Sequence, residues 1–96
     1  MIDISDQIMD IVKVILKTHV PECEVRVFGS RINGNAKNYS DLDLAIVGTE
    51  KLPAKVLMEL KEAFEESVIP FRVDILDWNG ITDSFKSVIE QKYEII

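Results

Sequence analysis

The alternation Asp41-Leu42-Asp43-Leu44, running on into Ala45-Ile46-Val47, constrains the fold of this chain more than any other stretch. Side chains two apart share a face of a β-strand, so Asp41 and Asp43 project together while Leu42, Leu44 and Ile46 face the opposite way. One face suits a core, and the other carries two like charges. A mid-strand Asp43 between leucines is poor strand chemistry unless it is used. At a separation of about 6 Å and an effective dielectric of about 20, the two carboxylates repel by about 3 kcal/mol, a large share of a small domain's stability. A cation would offset that cost. Oxygen-only ligands favour a hard ion such as Mg²⁺, which takes one or two carboxylates and fills its other positions with water and phosphate oxygens.

Upstream, the apolar-rich run Val25-Arg26-Val27-Phe28 reads as a strand that ends in Gly29-Ser30-Arg31. Gly29 has no β-carbon, so backbone there can come close to a phosphate, and the Gly29 and Ser30 N–H groups and the Ser30 hydroxyl are three candidate donors. Arg31 and Lys37 read equally well as phosphate contacts or as exposed loop charges. Gly34 and Asn35 permit positive φ in the loop that returns the chain to Asp41.

The remaining periodicities alternate between helix and strand. Ile4, Ile8, Ile11, Val12 and Ile15 follow a three-four spacing, with Asp3 or Ser5 as N-cap and Pro21 beyond the end. A first strand spans about Val25–Phe28 and a second about Asp41–Val47. Pro53 suits the first turn of a helix whose apolar stripe is Val56, Leu57, Leu60, Ala63 and Phe64. Pro70 breaks that helix before a third strand at about Phe71–Leu76, and an Asn79-Gly80 turn leads to a last helix marked by Phe85, Val88, Ile89 and Tyr93. The order α-β-β-α-β-α predicts an α/β (α+β) domain over residues 1–96. A short loop lets the first two strands pair antiparallel, and the helix between the second and third allows a crossover, so the sheet is mixed and packed with helices.

In Gly29-Ser30, ten intervening residues and Asp41-Leu42-Asp43, followed by an acid on a later strand, the chain resembles the minimal nucleotidyltransferases of the DNA polymerase β superfamily. The forms Gly29-Ser30-Arg31-x-x-Gly34 and Ser40-Asp41-Leu42-Asp43-Leu44-Ala45 look like the stand-alone prokaryotic branch. The resemblance covers roughly Val25 through Tyr93 and implies a polymerase β-like fold. It makes Asp74, in Phe71-Arg72-Val73-Asp74-Ile75-Leu76, the third acid. It also implies Asp41 and Asp43 as metal ligands, Asp74 as general base or second-metal ligand, one or two Mg²⁺ ions, and Gly29, Ser30 and Arg31 at the nucleotide. The implied reaction is attack of an acceptor hydroxyl on the α-phosphate of ATP, releasing pyrophosphate. Each acid has a plainer rival: Asp41 as a strand-start residue, and Asp74 as a partner of Arg72 two residues away.

Composition narrows the partners. A formal net charge of −6 opposes attraction to nucleic-acid backbone or anionic membrane, and no apolar run is long enough to span a bilayer. The first residues lack a basic leader, which points to a cytoplasmic location. Cys23 is the only cysteine and His19 the only histidine, so neither a disulfide nor a zinc set is expected. Larger relatives bind their acceptor with extra helices. This sequence has none, so a second copy or another protein is expected to supply the missing wall, and the resemblance implies a partner of the HEPN family whose tyrosine receives AMP in an antitoxin role. Two alternatives stand beside that reading: a non-catalytic module that binds nucleotide or blocks a toxin, and an enzyme that modifies a small molecule such as an antibiotic.

Overall fold

A computed structural model describes residues 2–96 and shows a four-stranded mixed sheet with helices on it. Helix α1 is Asp6–His19, β1 Glu24–Phe28, α2 Ser30–Asn33, β2 Leu42–Val47, α3 Ala54–Glu65 and β3 Val73–Asp77. A 3₁₀ turn at Trp78–Gly80, helix α4 at Asp83–Gln91 and the short strand β4 at Glu94–Ile95 complete the chain. The strands lie in the order β3-β2-β1-β4. β1 pairs antiparallel with both β2 and β4, and β2 pairs parallel with β3, as a helical crossover requires.

Local chemistry sets the element ends. Ser5, one of the two expected caps, accepts the Ile8 N–H at 3.2 Å and starts α1, while Thr82 caps α4 through the Phe85 N–H at 3.2 Å. Val12 and Leu16 of α1 and Leu60 and Phe64 of α3 pack against Val25 and Val27 of β1, Leu42, Leu44 and Ile46 of β2, and Ile75 of β3. The alternation therefore places the leucines of β2 in the core. Among the described residues no helix is long and apolar enough to cross a membrane.

The opposite face of β1 carries Arg26 and Phe28. Arg26 lies between the rings of Trp78 and Tyr93, 4.7 and 4.5 Å from their centroids, and Phe28 meets Phe85 edge-on at 6.1 Å. The Trp78 turn and the α4 region thus cover one half of this face. Three features depart from the sequence reading: helix α2 and strand β4 are additional elements, and Tyr93 lies beyond α4. Of the two loop residues that permit positive φ, Gly34 adopts it; among the described residues only Gly29 and Gly34 do.

Candidate active site

The ends of three strands meet on that face, at the margin of the part that the α4 region covers. Phe28 opposes Asp43 across the β1–β2 pair, and Asp43 opposes Asp74 across the β2–β3 pair, so the three residues form one row across the sheet and share its face. The sequence could not set that register. It makes Asp43 the centre of the site, with an aromatic residue on one side and a carboxylate on the other.

The electrostatics follow from that placement. Burial first, then the Asp74 charge and then the Asp41 charge push the Asp43 carboxyl up to about 6, against an ordinary 3.8, and Arg72 pulls the other way. Asp41 lies just before the first residue of β2, and its pull on Asp43 ranks below that of Asp74. Asp74 also takes an ion pair from Arg72 at 3.5 Å, with side chains 72% and 45% exposed, a solvated contact of small energetic weight. The plainer reading of Asp74 therefore holds as geometry without displacing its place beside Asp43.

Gly29 is demanded twice. Its φ of 84° is one that L side chains rarely adopt, and a β-carbon there would run into Asp43 Oδ2 and stand 3.1 Å from Asp43 Cγ. The carboxylate thus lies directly over the Gly29 backbone. Helix α2 begins at the next residue, and the Gly29 carbonyl accepts from Ile32 and Asn33 N–H at 3.1 and 3.2 Å. The Ser30 and Arg31 N–H groups, first in the helix, have no intrahelical acceptor. Gly29→Ala is expected to cost on the order of 1–3 kcal/mol and to displace Asp43, removing activity. Gly34→Ala, at φ 78° with no atom within 4 Å of its added β-carbon, should bear only the backbone strain and keep activity. Urea midpoints and turnover of the two variants check the contrast.

Arg31 is not the exposed loop charge that one reading of the sequence allowed, and its guanidinium is taken up by main-chain acceptors. It is 5% exposed, and its guanidinium donates to the backbone carbonyls of Asp3, Lys37, Asn38 and Ser40. Nothing in the sequence signals this, because the acceptors are main-chain atoms and carry no residue preference.

The fit to Mg²⁺ can be judged from the donors. Among the described residues no three acidic, histidine or cysteine side chains converge as a ready metal cage. What exists is a carboxylate pair, Asp43 with Asp74, and a third acid nearby. That oxygen-only arrangement suits an ion that keeps waters and takes phosphate oxygens. Beside Asp74 lies a cleft of about 360 Å³ lined in part by Lys61, Phe64, Phe71 and Arg72.

Comparison with known proteins agrees with the geometry. Residues 9–96 match the family described as polymerase beta, nucleotidyltransferase. The chain is 47% identical over 95 residues to a probable protein adenylyltransferase, MntA, of Haemophilus influenzae, covering 99% of this chain and 83% of that protein. Its fold resembles a solved structure described as a toxin-antitoxin with AMP-PNP, with a TM-score of 0.73 and 20% identity over 90% of this chain and 69% of the other. A glycine-serine turn under a strand aspartate, an acid in register on the next strand and a family match across nearly the whole chain lead to one assignment: this chain belongs to the polymerase β nucleotidyltransferase family.

Proposed function

We propose that the chain moves AMP from ATP to a hydroxyl of a partner protein, and that the acceptor is a tyrosine of a HEPN-family toxin which the chain thereby neutralises. The observation that carries this reading is the row Asp43–Asp74 with the Asp43 carboxylate lying over Gly29. A nucleotide tail bound along the Gly29-Ser30 turn would lie against acids already in register. The protein acceptor is supported by the adenylyltransferase name of the 47% identical relative, and the toxin setting by the description of the structural neighbour.

The roles divide by position. Gly29 and Ser30 hold phosphate oxygens through backbone N–H groups and the Ser30 hydroxyl. Asp41 and Asp43 hold Mg²⁺, which when bound supplies charge neutralisation at the phosphates. Asp74, on the edge strand of the sheet, faces the acceptor and takes its hydroxyl proton as the oxygen–phosphorus bond forms and pyrophosphate leaves. Asp43 holds its proton near pH 6 in the free protein, so metal loading is expected to release protons and to strengthen as pH rises through that value.

The test is incubation with Mg²⁺ and ATP labelled at the α-phosphate, together with the protein that co-purifies from the native cell. Label on a partner tyrosine is expected. Label on an added aminoglycoside alone, or no transfer at all, would overturn the protein acceptor. Within the same assay, Ser30→Ala removes a phosphate hydrogen bond of about 1.5–3 kcal/mol and should lower nucleotide affinity or turnover roughly tenfold or more, with the fold intact. Unchanged binding and kinetics would make Gly29-Ser30 an ordinary turn.

A further inference from the structure

Arg31 follows Ser30 in sequence, yet its side chain turns into the protein and is 5% exposed. Nε and an Nη both donate to the Ser40 carbonyl, at 3.0 and 2.8 Å. The same Nη reaches the Lys37 and Asn38 carbonyls at 3.3 and 3.2 Å, and the other Nη reaches the Asp3 carbonyl at 2.8 Å. The guanidinium also lies on the Phe71 ring, 3.9 Å from its centroid. The Asp3 N–H in turn donates to the Arg31 carbonyl at 2.7 Å.

Apart from the tie to Asp3, each contact falls on a segment that carries or leads to a functional residue. The Ser40 carbonyl belongs to the peptide unit that enters Asp41. Phe71 leads directly to Arg72, whose carbonyl accepts the Leu42 N–H at 2.9 Å, and then to Asp74. Ser30 is the neighbour of Arg31 itself. The turn from Lys37 to Ser40 is closed further by the Ser40 N–H on the Lys37 carbonyl at 3.0 Å and the Lys37 N–H on Ser40 Oγ at 2.8 Å. One planar group therefore touches the approaches to all three parts of the site.

We infer that Arg31 is the positioning residue of this active site: its guanidinium fixes the phosphate turn at Ser30 relative to Asp41 and Asp74 and makes no contact with the nucleotide. The inference rests on nucleotidyl transfer at the Gly29–Asp74 site. Only a guanidinium fits the position. A lysine ammonium keeps the charge but cannot fork onto Ser40 and Asp3 from one plane while stacking on Phe71.

The test compares Arg31→Lys, Arg31→Met and Phe71→Leu, with α-labelled ATP and the co-purified partner as acceptor. Both Arg31 variants should lose on the order of 100-fold in kcat, the effect of misplacing reacting groups by about 1 Å, with KM for Mg–ATP within about threefold of wild type. Phe71→Leu should move in the same direction by less. Amide exchange should quicken at residues 37–41 while the paired residues of β1 and β2 keep their protection. A near-normal kcat in Arg31→Lys with a raised KM in Arg31→Met would make Arg31 a phosphate contact and overturn the inference. So would uniform loss of protection across β1 and β2, or unchanged exchange at 37–41. If neither Arg31 variant folds, Phe71→Leu carries the test, and an unchanged kcat there overturns it. The exchange experiment needs no turnover, so a wild-type chain that transfers nothing would sink the proposed acceptor chemistry and still leave the role of Arg31 decided.

Discussion

Asp43→Asn is expected to abolish transfer, a loss of roughly 10²- to 10³-fold or more, while making the metal-free protein more stable at neutral pH. The two effects have one cause. Asp43 is crowded by Asp74 and Asp41 and partly buried, so its folded value of about 6 lies above the ordinary 3.8. A raised acid binds protons more readily folded than unfolded, so wild-type stability falls as pH rises from about 4 through about 6, and the penalty is fully present above that window. Asparagine keeps the shape and removes the charge. The variant should therefore melt above wild type at about pH 7.5 and close to it at about pH 4, read by thermal melts at both values. Near-normal activity, or a lower melting temperature at pH 7.5, would remove Asp43 from the centre of the site.

The same substitution shows what the sequence could and could not say. The period-two pattern of Leu42, Leu44 and Ile46 placed the core face of β2, and the helical stripes at Ile8, Val12 and Ile15 and at Leu60 and Phe64 placed the covering layer, because burial writes itself into hydrophobic periodicity. Register does not. Nothing in the residues around Asp74 specifies that it stands opposite Asp43 rather than a residue to either side, since β3 is fixed by a crossover and packing. Helix α2 spans only Ser30–Asn33 and strand β4 only Glu94–Ile95, both too short to show a period. Arg31 was illegible for a different reason. A charged side chain in a glycine-containing loop looks exposed until the fold brings the carbonyls of residues 3, 37, 38 and 40 around it.

The second large effect is the linkage of metal, nucleotide and stability. If the folded state alone binds Mg²⁺–ATP, ligand at about 100 times its dissociation constant stabilises the protein by roughly 2.7 kcal/mol. For 96 residues that is a melting shift on the order of 10 °C or more. The shift should need both components, because phosphate oxygens complete a metal shell that the carboxylate pair leaves open. It should vanish in the double variant Asp41→Asn, Asp43→Asn, which has lost the repulsion that a cation relieves. A same-sized shift in that variant would place the nucleotide elsewhere. No shift in wild type alone, followed by a shift once the co-purified partner is added, would mean that the partner completes the site.

The central claim is that Gly29-Ser30, Asp41, Asp43 and Asp74 are one metal–nucleotide site, and paramagnetic broadening reads it residue by residue. Mn²⁺ in place of Mg²⁺, added at low ratio with ATP to isotope-labelled protein, broadens the amide resonances nearest the ion. Broadening is expected to centre on Gly29, Ser30, Asp41, Asp43 and Asp74, with Arg26 and Asp77 less affected and the effect much reduced when ATP is left out. Broadening centred on Asp77 and Gly80, or spread evenly over Glu59, Glu62 and Glu65 of α3, would contradict it.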